Sequence, residues 1–313
     1  MAKQLGVIQF SGAVGEVVGA KKSSGQKHNS LRLRPYEPKN PRTDEQMIQR
    51  IKTKAAMNIY SALKGILNHS FEGIEYGAPS RNFFMQQAMT MAEGTFPWLV
   101  KGDTNPTPGE MLISKGSLLP IFVYLDQRNL YNPAFKYSES DLPSSFNIYT
   151  LKLKDFSTQF NSSNGTKDGD QLTFVVFAKV TASDGSQVFY MPVYSRIVLD
   201  STATDDVLFV NSLSSQNIIF APDDDFHDLQ FSVNDDVLGN VSTESVAGAI
   251  IVSRPIVDGE KVKWQRSTTY ITISEDADFQ ALFNNDAKKK AIASFKKATS
   301  DPKSPWYLNQ GKL

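Results

Sequence analysis

The 313-residue chain balances 33 Lys and Arg against 33 Asp and Glu, is 40% hydrophobic and 21% charged, and contains no cysteine. That composition suits a globular chain with cores enough for two or three domains, and it excludes disulfides, thiolate metal sites and a cysteine nucleophile. The zero net charge hides a segregation. Residues 1–54 carry eleven Lys or Arg against four Asp or Glu, residues 200–260 twelve acidic side chains against Arg254 alone, and residues 286–313 seven lysines against two aspartates. A chain polarised in this way suits contact with copies of itself or with an acidic partner; the plainer alternative is a set of solvated faces.

In chain order, Val7–Phe10 and Val14–Val18 are β-prone runs around Ser11-Gly12-Ala13, which predicts a hairpin turning at Gly12. Gln9, Ser11, Gly12, Gly15 and Glu16 interrupt any apolar run of the kind an export signal needs, so none is read there. Leu31-Arg32-Leu33-Arg34 alternates as a strand with one apolar and one basic face. Pro35, Pro38 and Pro41 keep the chain extended. Residues 1–42 are thus an extended basic arm with a β-hairpin.

Thr43 and Gln46 form a capping box that opens a helix. Its buried stripe is Ile48, Ile51, Ala55, Ile59, Ala62, Leu63 and Ile66, and it ends near His69. A second helix is predicted over 80–93, with Phe84, Met85, Ala88 and Met91 inward, which makes residues 43–100 a helical hairpin. Residues 101–110 read as a linker.

Beyond the linker the pattern becomes β. Runs at 146–156, 171–180, 187–199, 206–210, 217–220, 229–233, 246–253 and 261–273 are separated by turns such as Asn164-Gly165, Asp168-Gly169, Asp184-Gly185 and Asp258-Gly259. This predicts antiparallel immunoglobulin-like sandwich architecture, with one sandwich over 111–200 and either a second or a continuation of the first over 201–275; a jelly roll is the alternative. Residues 276–313 supply a final helix, capped by Asp276 or Asp278, and a tail in which Trp306 is an anchor for a neighbour or for the chain itself. The fold class is therefore α+β, mainly β. No window approaches about eighteen uninterrupted apolar residues, so no membrane span is predicted.

Sequence motifs for chemistry are sparse. Gly15 to Ser23 fails as a phosphate loop, because Ala20, Lys21 and Lys22 stand where glycine, lysine and a hydroxyl residue are needed. The three histidines, His28, His69 and His227, have no local triad partners. Asp223-Asp224-Asp225 with His227 and Asp228 is the densest set of hard oxygen ligands, but its spacing does not match a calcium loop, and a solvated acidic turn is the preferred reading. Lys21, Lys22, Lys27, Arg32 and Arg34 supply the cations for phosphate contact without the aromatics for base stacking, which makes nucleic acid a minor reading. No catalytic, cofactor or metal residues are assigned.

Gly6, the run Phe10 to Gly19, Asn40-Pro41-Arg42-Thr43 with Gln46 and Arg50, Gly94-Thr95-Phe96-Pro97 and Ile113 to Leu118 together resemble an uncharacterised family recurrent in Bacteroidetes genomes and related phage sequences. The resemblance covers about residues 1–120 and implies a helical part followed by β-rich segments; it brings no catalytic residues. The resulting expectation is a non-enzymatic structural protein of a bacteriophage virion, in the neck, tail or capsid periphery, assembled in the host cytoplasm through contacts with its own copies and other virion proteins. Gly12, Gly15, Val17, Val18, Arg32, Arg34 and Trp306 are the expected assembly contacts. The second expectation is a bacterial envelope or surface binding protein with immunoglobulin-like domains.

Overall fold

The computed structural model describes residues 2–3, 12–14, 17–20, 30–33, 42–102, 108–126, 132–138, 142, 146–181, 188–222, 228–234, 242–259, 261–275 and 277–300, with backbone alone for residues 2–33. The chain divides into two compact units, residues 1–43 and 44–313.

The first unit is a four-stranded antiparallel sheet of β1 (Ala2–Lys3), β2 (Gly12–Val14), β3 (Val17–Ala20) and β4 (Ser30–Leu33) in the order β1-β4-β3-β2. Val14 pairs with Val17 and Gly12 with Gly19. The turn predicted at Gly12 is therefore corrected: Gly12 lies within a strand, paired with Gly19. β-branched Val14, Val17 and Val18 suit the strands that pair in this register. The predicted strand at 31–34 corresponds to β4.

In the second unit, α1 (Asp44–Ala62) begins directly after Thr43, and Met47, Ile51, Ala55 and Ile59 recur at four-residue steps on its buried stripe; of the predicted stripe, Ile48 is only half-buried and Ala62, at the helix end, is exposed. The short α2 (Lys64–Leu67) follows. α3 (Ala78–Met89) starts after Gly77, whose φ of 91° favours glycine, and ends before the predicted Glu93.

Two short strands, β5 (Leu112–Ser114) and, later, β14 (Thr269–Tyr270), pair with each other. β6 (Val123–Asp126), β7 (Asn132–Lys136), β10 (Ile218–Pro222) and β11 (Asp228–Val233) form one antiparallel sheet in the order β10-β11-β7-β6. β8 (Gln171–Thr181), β9 (Val188–Val198), β12 (Ser242–Asp258) and β13 (Lys261–Arg266) form another in the order β13-β12-β8-β9, and β15 (Thr272–Ile273) also pairs with β12. Residues 201–275 thus complete the same two sheets that residues 111–200 begin.

The two faces of β8 serve two cores. Leu172, Phe174, Val176 and Ala178, with Ile250 and Val252 of β12, meet Phe135, Phe220 and Phe231 of the four-stranded sheet. Val175 and Phe177, with Ala247, Ala249 and Ile251, meet the helical layer at Ala55, Ile59 and Phe84. Phe135, Phe174, Phe177 and Phe231 are fully buried, each contributing about 2–3 kcal/mol.

Two predicted strands are helical. Residues 146–156 give a 3-10 turn (Ile148–Thr150) and the start of α4 (Leu153–Asn164), because Leu153, Phe156 and Phe160 recur at helical spacing and join the core between the sheets. Asn164-Gly165 is then not a hairpin turn: Gly165, with φ 67°, ends α4 and donates its N–H to Asn161. Residues 206–210 supply only the bridge Lys152 to Leu208 before α5 (Phe209–Ser212).

At the C-terminal end come α6 (Ala277–Gln280), a 3-10 turn (Ala281–Phe283) and α7 (Asn285–Ser300). The cap of the long helix is Asn284, whose Oδ1 accepts from the Ala287 N–H at 2.8 Å. Asp278 lies inside α6 instead, and Asp276 lies outside the described residues. Ala291 and Phe295 of α7 pack with Met47, Ile51 and Trp98.

Close approach of the two sheets depends on Gly248 of β12, where an added Cβ would lie 2.3 Å from Pro133 Cβ. Gly248→Ala is expected to cost about 1–3 kcal/mol, read as a lower urea midpoint at unchanged slope. An unchanged midpoint would mean that the sheets do not meet there.

Candidate anion-binding site

The face of the five-stranded sheet that packs on the helices changes character along its length. Beneath α1 and α3 it is apolar, through Val175, Phe177, Ala247 and Ala249. Further along the strands the register brings Arg196, Thr173 and Ile251 into one cross-strand row and Gln171, Ser253 and Arg266 into the next. Side chains directly opposite on paired strands share a face. These six residues, with Ile66, His69, Ser70 and Trp264, line a cavity of about 180 Å³. A second, larger space of about 700 Å³ adjoins it through the shared residues His69, Trp264 and Arg266, and runs between β13 and residues 68–76 past Phe71, Ile74, Tyr76, Ile256 and Val257.

Arg266 is the central charge. It is only 7% exposed. Its Nε donates to the His69 carbonyl at 2.7 Å, its guanidinium lies 4.8 Å from the Trp264 ring centroid, and its buried Nη1 has no hydrogen-bond partner. Burial, reinforced by the Arg196 charge and only partly offset by Glu72, lowers its pKa to about 10. Arg196 donates to the Gly65 carbonyl at 3.0 Å and stacks 5.2 Å from the Tyr194 ring. Burial, then the charges of Arg266 and Arg196, hold the His69 imidazole below its ordinary value. The His69 ring stacks on Tyr76 at 4.8 Å.

The Glu72 carboxylate is engaged elsewhere. It accepts from the backbone N–H of Ser117 at 2.8 Å and of Arg266 at 3.2 Å, and from the Ser117 hydroxyl at 3.0 Å. Burial alone would raise its pKa, but those hydrogen bonds and the Arg266 charge outweigh it and hold the group lower than usual. Arg254 of β12 provides a contrast. Its Nε and Nη2 pair with both oxygens of Asp170, at 2.7 and 2.6 Å, and that carboxylate is 1% exposed. One arginine has a fitted counter-ion and the other opens onto a cavity, an arrangement suited to holding an oxyanion.

Of the predicted assembly contacts, Gly12, Val17, Val18 and Arg32 fall in the N-terminal sheet, where Val18 pairs with Arg32. Gly15, Arg34 and Trp306 lie outside the described residues, as do His28, Asp223, Asp224, Asp225 and His227. Asp228 opens β11 and accepts from the Tyr124 hydroxyl. Among the described residues no group of three or more His, Asp or Glu side chains gathers as metal ligands, and no helix is long and apolar enough to cross a membrane. The Arg196, Arg266 and Trp264 site was not read from sequence. Its only local signal is the alternation Val262, Trp264, Arg266, which sets a cation and an indole on one strand face.

No family model, curated protein or solved structure matches the chain. The class is thus defined by the fold itself: an α+β chain of mainly antiparallel sheet with a cationic cavity beside a sheet edge.

Glu72→Gln tests how the wall of this site is held. Its low carboxyl pKa means that the stabilisation is complete above the unfolded value of about 4.5 and is lost as pH falls through the folded value. The substitution is expected to cost about 1.5 kcal/mol at pH 7, with the wild-type advantage shrinking in urea melts at pH 3.

Proposed function

We propose that this chain is a non-enzymatic structural protein of a bacteriophage particle, from the neck, tail or capsid periphery, that assembles through its N-terminal unit. The observation that carries this reading is the separate compactness of residues 1–43. Strands of two to four residues, in a unit without cysteine, are below the size at which a β-sheet is secure in water unaided. Such a unit gains its stability from a surface supplied by other copies or other virion proteins. Its eight Lys or Arg against two Glu suit an acidic neighbour, and residues 200–260 of another copy offer that charge. The Bacteroidetes and phage resemblance of residues 1–120 points the same way, with the particle built in the host cytoplasm.

In this reading the two facing sheets act as an immunoglobulin-like sandwich to which a helical layer has been added. The second reading, a bacterial envelope or surface binding protein, is favoured by the cationic cavity.

Light scattering of the full chain at low and high salt tests the assembly role. A discrete oligomer that weakens with salt is expected, and removal of residues 1–43 should leave a folded monomer, since the three hydrophobic clusters lie within residues 47–295. An oligomer of unchanged size after the deletion would overturn the role of the N-terminal unit.

A further inference from the structure

We propose that the Arg266 cavity and its adjoining groove bind a carboxylate-bearing ligand, with the carboxylate on Arg266 and Arg196 and an apolar body against Trp264 and Tyr76. The Arg266 guanidinium is buried, lines the cavity and has no carboxylate partner among the described residues, so an anion in the cavity would offset its uncompensated charge. Thr173, Ser253 and Gln171 line the same cavity and add hydroxyl and amide donors.

Charge and shape select the class. Among the described residues no carboxylate pairs with Arg196 or Arg266, since Glu72 is taken up by the Ser117 and Arg266 backbone N–H groups. Two guanidinium groups on one cavity suit a carboxylate, and the apolar side chains beside them favour one with an organic body over inorganic phosphate. The groove beyond gathers exposed apolar side chains among its polar ones: Ile256, Val257, Trp264 and Tyr76 remain 39%, 74%, 39% and 64% exposed beside Phe71 and Ile74. Exposed apolar side chains gathered in one groove mark a binding surface. All of these residues lie between 65 and 267, so occupancy of the site is independent of the assembly role of the N-terminal unit.

Calorimetric titration of the full chain with phenylacetate, acetate, benzyl alcohol and inorganic phosphate tests the assignment. Phenylacetate is expected to bind saturably and more tightly than the other three. Arg266→Met keeps the packing volume and removes the guanidinium, and should weaken phenylacetate roughly tenfold or more. Arg196→Gln, at a more exposed position, should weaken it several-fold and serves as the test if the first variant does not fold. A capped tripeptide with one glutamate between apolar residues separates the two sources of the carboxylate. Tighter binding than phenylacetate supports an acidic protein segment, and weaker binding supports a small organic acid. Absence of saturable phenylacetate binding, binding undiminished in both variants, or a preference for phosphate would overturn the proposal.

Discussion

A sheet that is apolar on both faces must be covered on both, and in this protein β8 and β12 impose that requirement. Seven consecutive residues of β8, Leu172 to Ala178, are buried. Alternate side chains go to the core shared with the four-stranded sheet and to the core shared with α1 and α3. The three-layer order of the second unit follows, because neither the four-stranded sheet nor the helices alone could remove both faces from water. Gly248 is the local expression of the same demand, where the second sheet comes too close for a side chain.

The cationic cavity lies where that cover runs out. The helix-facing side of the sheet changes from Val, Phe and Ala to Gln171, Thr173, Arg196, Ser253 and Arg266 as the helical layer gives way to residues 66–76. The two arginines in and beside this region show how burial is balanced. Arg254 is neutralised by Asp170 with two short hydrogen bonds, so its desolvation is offset within the fold. Arg266 has instead a carbonyl, an indole face and a repelling Arg196, while the nearest carboxylate is occupied by backbone N–H groups. The asymmetry distinguishes a structural ion pair from a site prepared for a ligand. The proposed assembly through residues 1–43 and the proposed ligand site at β13 rest on different residues, so neither proposal depends on the other.

Much of the secondary structure was legible because its signals are local. The stripe of α1, the strands β8, β9 and β12, and the change from helical to β pattern after the linker all follow from periodicity. The misreadings share a cause. In residues 146–156 Tyr149, Leu151 and Leu153 alternate with Thr150, Lys152 and Lys154 as in a strand, and residues 207–210 are a short apolar run, so strand and helix patterns look alike; the core between the sheets selected helix for α4, seating Phe156 and Phe160 against Phe135 and Phe209. Of the predicted caps, Asp278 lies inside α6, and the long α7 is opened by Asn284, whose side chain meets the Ala287 N–H in the first turn.

Sequence by itself determined the class of the fold, α+β with mainly antiparallel sheet, together with the charge segregation and the absence of thiol chemistry. These depend on residue type and on spacing along the chain, which are properties of neighbours in sequence. Tertiary structure alone decided which sheet each strand joined and which arginine found a carboxylate. Asp170 and Arg254 are 84 positions apart, while Arg196 and Arg266 reach one cavity only because β9, β8, β12 and β13 lie side by side in register. Burial and hydrogen-bond satisfaction are properties of neighbours in space, and these contacts span too much chain for a local pattern to announce them.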